Sequence, residues 1–221
     1  MEFSDVVAFL PILLKGAVVT VQITIGALLL SSLLGLVLAL MKLSPFRALS
    51  LTASTIVNVI RGLPIIVQLF YIYFVIPELG IQLSAFQASI IGLGIAYSAY
   101  QAENFRAGIE AIDSGQIEAA KSIGMKSRLI MRRVVLPQAI RIALPPYGNT
   151  SVMILKDSSL ASTITVAEMT RAGQLIAAST FQNTTVYTMV ALLYLALSLP
   201  LIFGVNRLER YFGKSAKGAG K

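Results

Sequence analysis

From Gly16 to Met41 the chain runs for twenty-six residues without a charged side chain. At 1.5 Å per helical residue this exceeds the roughly 20 residues needed to cross a hydrocarbon core about 30 Å thick, and in hydrocarbon only helices or closed barrels satisfy the backbone. Apolar runs near Ala48–Ile76, Ser84–Glu103, Ala139–Asp157 and Thr185–Val205 repeat the pattern. The expectation is an all-α polytopic membrane protein with five transmembrane helices. Composition agrees, since 13% of residues are charged against about 25% in soluble domains. Residues 1–15 read as an amphipathic N-terminal segment broken at Pro11, residues 16–212 as the membrane domain, and residues 213–221, "GKSAKGAGK", as a basic flexible tail. The opening "MEFSD" is acidic where a signal peptide would be cationic, so the first span is expected to be retained.

The eighteen cations sort by side. Lys42, Arg47 and Arg61 follow the first span, seven from Arg106 to Arg141 follow the third, and five from Arg207 onward follow the fifth. Lys15 and Arg171 fall opposite, with Lys156 inside or near a span. The positive-inside rule then places the N-terminus outside and the C-terminus in the cytoplasm. That topology accounts for the net charge of +8 without a nucleic-acid partner. The absence of cysteine and histidine excludes disulfides, thiolate metal sites, cysteine nucleophiles and imidazole bases. "GKS" at Gly213 to Ser215 is not a phosphate-binding loop, because Leu208 stands where its first glycine is required. "GLG" at Gly92 to Gly94, and the stripe Ser31, Gly35, Ala39 on the first span, are placed to let helices approach closely.

Between the third and fourth spans, over about residues 104–137, lies the segment "EAAKSIGMKSRLIMRRVVLP", Glu118 to Pro137. Ala119 and Ala120 leave a helix face on which another protein can seat, and Gly124 can adopt the left-handed conformation that closes a helix. Pro137, Pro145 and Pro146 are candidates for fixing how this loop enters the fourth span. Glu118, Ala119, Ala120, Gly124, Val134, Leu136 and Pro137 fit the spacing E-A-A, three residues, G, nine residues, V-x-L-P. At these residues the chain resembles the permease subunit of ATP-binding-cassette importers, with Val134 where isoleucine is more usual. The resemblance extends through "RGLPIIVQLFYIYF" from Arg61, "SAYQAENFRAGIEAIDSGQIEAAKSIG" from Ser98, "VVLPQAIRIALPP" from Val134 and "LKDSSLAS" from Leu155. These strings look like the polar amino-acid uptake branch.

The resemblance implies a type I importer permease fold in a prokaryotic cytoplasmic (inner) membrane, with the loop as a cytoplasmic coupling helix. It implies a second permease subunit, identical or closely related, two cytoplasmic ATPase subunits and an external amino-acid-binding protein. ATP and Mg would be bound by the ATPase partner, this chain carrying no cofactor, no metal and no enzyme activity. Glu118 would orient the coupling helix against the ATPase groove, Gly124 would set the turn, and transport would proceed by alternating access.

Ionisable groups inside a span cost roughly 2.5 to 3.5 kcal/mol each on insertion scales, so Glu103, Lys156 and Asp157 are candidates for function. Asp157, followed by Ser158 and Ser159, is placed to break the fourth span and cap a half-helix. The amide-rich N-terminus of that half-helix would face an α-carboxylate while Asp157 and Glu103 hold an ammonium. Two carboxylates favour a basic amino acid, with glutamine or another polar amino acid as the alternative. Plainer readings stay open: Glu103 paired with Arg106, and Asp157 as a cap or as the partner of Lys156. Asn58, Arg61, Ile65 and Gln68 share a helical face around a kink at Gly62 and Pro64, which gives Asn58 and Gln68 either a pocket role or an interhelical hydrogen bond. Tyr97 and Tyr100 can line the same cavity or anchor at the interface. The competing class is an ion channel or proton-coupled carrier, which would want rings of charge, an acid–histidine relay or an internal repeat.

Overall fold

The computed structural model describes residues 3–218, with side chains from Asp5 to Phe212, so the basic tail expected at 213–221 lies outside the described side chains. Its helices in chain order are α1 (Phe3–Lys42), α2 (Arg47–Gly62), α3 (Ile65–Phe70), α4 (Ala85–Glu110), α5 (Ser114–Ser122), α6 (Ser127–Ile130), α7 (Leu136–Asp157), α8 (Met169–Thr180) and α9 (Asn183–Gly218). No strand occurs among the described residues.

The first helix is continuous through Pro11 rather than broken there. A proline costs a membrane helix one backbone bond, and neighbouring groups absorb that loss. Among the described residues, α1 and α9 are each long and apolar enough to span alone. The second expected span is a bent pair, with α2 and the stretch from Ile65 to Leu79 meeting at 100°. The cause is local. Leu63 precedes a proline and is extended at φ −100° and ψ 136°, the conformation that the following ring imposes. The carbonyls freed at the bend are not left bare, because the buried Gln68 side chain donates to Ile60 O at 2.9 Å and Leu63 O at 3.0 Å.

The remaining expected spans, α4 with 26 residues and α7 with 22, reach roughly 39 and 33 Å at the helical rise. Their polarity follows from position. Helix α4 packs against α1, α2, α3 and α7, so it meets protein where the outer helices meet lipid. Its buried face carries Gly92, Gly94, Ser98 and Gln101. Small residues set the spacing: a Cβ on Gly35 of α1 would lie 2.6 Å from Gln101 Cβ and 2.9 Å from Ser98 O, and one on Gly94 would lie 2.6 Å from Leu30. Ser31 and Ala39, on the same stripe as Gly35, are fully buried.

At Gly62, by contrast, an added Cβ meets nothing within 4 Å. Gly35→Ala should therefore destabilise the protein by about 1–3 kcal/mol through overpacking, while Gly62→Ala should be neutral or slightly stabilising. Thermal unfolding of the two variants in the same detergent checks this.

Candidate functional site

Helix α4 ends at Glu110, and the chain then builds a compact elbow before rejoining the bundle at α7. Asp113 opens α5 by accepting from Gly115 N at 2.6 Å. At the other end Gly124 takes φ +79°, while Met125 N donates to Ala120 O at 3.1 Å and Gly124 N to Lys121 O at 2.9 Å. This paired closure satisfies the last carbonyls of α5 and requires a left-handed residue at Gly124. The elbow has its own apolar core, in which Ile112, Ala120, Ile130, Val135 and Ala139 are buried with Ile109, Ile117, Met125 and Val134 around them. Since Ala139 belongs to α7 and Ile109 to α4, the elbow is packed onto the ends of both helices.

Successive helical residues point about 100° apart, so the two alanines divide. Ala119 is exposed with Glu118, and Ala120 turns inward. The outer face gains Ile123, which is 76% exposed and which the sequence signals only as an apolar residue before the helix-closing glycine. Pro137 is exposed in the first turn of α7. A wider turn, Met131–Val135, precedes it, where the proline ring would otherwise strike the Arg133 carbonyl.

A second polar group lies deeper along α4. The Tyr97 hydroxyl, on a fully buried ring, donates to Asp157 Oδ2 at 2.5 Å. Its ring lies 5.7 Å from that of Tyr100, and the Arg61 guanidinium stands 5.5 Å above the Tyr100 ring, a cation–π distance. One acid and one base thus flank a tyrosine pair. Asp157 ends α7, as the sequence suggests, but does not cap the following turn, Ser158–Ile164, with its side chain. Ser158 is buried and donates to Leu155 O at 2.7 Å.

Other sequence-derived candidates sit elsewhere. Glu103 accepts from Lys42 of α1 and, at 2.7 and 2.9 Å, from Arg106, which also pairs with Glu110. Gln68 is committed to the bend, and Asn58 is exposed on α2.

Glu168, absent from the sequence-derived candidates, is fully buried. It caps α8 by accepting from Thr170 N at 2.9 Å and Arg171 N at 2.7 Å, and also accepts from Tyr194 at 2.9 Å and Thr20 at 3.3 Å. It thereby ties α8 to α1 and α9. An acid directly before a helix was the available signal. The partners in α1 and α9, more than a hundred residues before and some twenty after, had none.

With this geometry in hand, the pattern of the family described as "binding-protein-dependent transport system inner membrane component" matches residues 31–214. A probable amino-acid ABC transporter permease of Sinorhizobium fredii is 38% identical over 90% of this chain and 86% of its own length. A probable glutamine ABC transporter permease of Bacillus subtilis is 38% identical over 89% and 91%, and an arginine transport system permease of the same organism is 33% identical over 95% and 96%. Among solved structures, an amino acid ABC transporter crystallised with histidines aligns at TM-score 0.89 and 38% identity over 96% of this chain and 99% of that one. An inward-facing methionine ABC transporter, at TM-score 0.78 and 23% identity, shares the fold.

The elbow's turn can be tested directly. Gly124→Ala should cost about 1–2 kcal/mol, the penalty of a Cβ in the left-handed region. It should appear as faster amide hydrogen exchange across Ser114–Ile130 with no change in α8.

Proposed function

The chain belongs to the family of binding-protein-dependent transport system inner membrane components, and from that premise we propose how it works as the permease subunit of an amino-acid ABC transporter. Two copies would form the pathway, each with its N-terminus outside and its elbow against one of two ATPase subunits in the cytoplasm, and an external binding protein would deliver the substrate. The cation sorting of the sequence supports this orientation. Glu118, Ala119 and Ile123 supply the surface that would seat in the ATPase, and the elbow core supports its action as one rigid piece. ATP binding would draw the two elbows together and turn the cavity outward, and hydrolysis would release it inward.

The observation that carries the substrate reading is the pairing of Asp157 with Tyr97 beside Arg61 stacked on Tyr100. Opposite charges flanking aromatic faces suit a zwitterion, with Asp157 taking the α-ammonium and Arg61 the α-carboxylate. Glu103 is held by Lys42 and Arg106, so a cationic side chain would have Asp157 alone. A polar amino acid bound through its α-groups is the reading that this geometry supports best, with basic amino acids included in that class. Asn58 and Ser158 would have peripheral roles. A glutamine and an arginine permease among the relatives are in keeping with that class.

Reconstituting the assembled transporter and measuring uptake of labelled amino acids tests this. Asp157→Asn and Arg61→Gln should each weaken uptake roughly ten- to a hundredfold, the loss of one charge-assisted hydrogen bond, while the ATPase still co-purifies. Normal uptake of every amino acid by both variants would remove the assignment. Flux without ATP or the ATPase would point to a channel or carrier instead.

A further inference from the structure

Helices α1 and α7 meet where Ser32 and Tyr147 share a hydrogen bond of 3.0 Å, and an apolar cleft extends from there toward the elbow. It is lined by Leu33 and Leu36 of α1, Phe105 and Ile109 of α4, and a stripe of α7 from Leu136 through Ile140 and Leu144 to Tyr147. Its floor is close-packed, since a Cβ on Gly108 would lie 2.8 Å from Ala139 O and 3.0 Å from Ala143 Cβ. The cleft encloses about 610 Å³.

We propose that this cleft holds one acyl chain of an anionic phospholipid from the leaflet on the elbow's side. Three observations fix the occupant. First, the two polar lining side chains, Ser32 and Tyr147, have their donors committed, Ser32 to Leu28 O at 2.6 Å and Tyr147 to Ser32, so the cleft offers a polar occupant no side-chain donor. Second, Leu136 to Tyr147 spans about 16 Å of helix, the depth of one leaflet of a hydrocarbon core about 30 Å thick. Third, the elbow end carries charge of the right sign. Arg132 and Arg133 lie within four residues of Leu136, both exposed and in none of the described ion pairs. Lys42 and Arg106 are already bound to Glu103, whereas these two arginines stand one turn before Leu136 and can receive a phosphate.

The site would make this lipid a wedge between α1 and α7 just above the elbow. The assembled transporter, reconstituted in bilayers with phosphatidylglycerol bearing a diazirine at the end of one chain, tests it. Photolabelling should concentrate at the closed end of the cleft, on Ser32 to Leu36 and Ala143 to Tyr147. Ile140→Trp and, separately, Leu36→Trp, at positions 59% and 45% exposed on the cleft walls, should lower that labelling severalfold without changing labelling at Leu192. Arg132→Gln and Arg133→Gln should each reduce the preference for phosphatidylglycerol over phosphatidylcholine roughly fivefold, the worth of one cation at an anionic surface. Labelling no stronger in the cleft than at exposed Leu29 and Leu192 would overturn the proposal. So would cross-linking of the cleft residues to a second copy of the chain.

Discussion

Helices in hydrocarbon gain nothing by hiding from lipid, so α1 and α4 stay together because their backbones come close enough for continuous van der Waals contact. Gly26 receives Ile90, Gly35 sits on Gln101 and Ser98, and Gly94 receives Leu30, so bulk on one helix is matched by its absence on the other. With α1 locked on one side, α4 becomes the post to which the rest is referred. Gly92 takes Leu69 of the bent second span, and Gly108 takes α7. Tyr97 and the start of the elbow are therefore parts of one rod, about 20 Å apart along it. On this reading a displacement of the elbow is carried along α4 to the tyrosine pair and Asp157.

Where the fold bends, it does so with its polar groups satisfied. The turn at Leu63 and Pro64 is capped by Gln68, and the buried start of α8 is held by Glu168 between α1 and α9. Such pinned irregularities suit a machine with two arrangements of similar energy, since a nucleotide can switch states only as far as its differential affinity allows. Local looseness would dissipate that free energy before it reached the substrate.

Much of this was legible in the sequence. The apolar runs located five helical segments, the stripe Ser31, Gly35, Ala39 and the pair Gly92 and Gly94 marked close helix contacts, and Gly124 marked the end of a helix. What the sequence hid was mostly tertiary. Helical periodicity put Asn58 and Gln68 on one face, but that face ends at the bend, and Gln68 turns inward to serve it. Pro11 suggested a break after an amphipathic start, yet the surrounding helix carries the proline. Glu103 and Asp157 looked alike as acids within spans. The pairing of Glu103 with Arg106 was among the open readings and holds, but only the fold adds Lys42 to it and shows that Asp157 meets a tyrosine beside an arginine that comes from a different span.

The central claim is that the elbow and α4 move as one body. Spin labels at Ile123 and Ala107 of one chain in the assembled transporter, measured by pulsed electron resonance with and without ATP, test it most directly. The account predicts a narrow distance distribution unchanged by nucleotide, while in an assembly of two copies the distance between their Ile123 positions would shorten on ATP binding. A distribution within one chain that broadens or shifts with ATP would show the elbow swinging on its own, and the rigid path from ATPase to substrate would be lost.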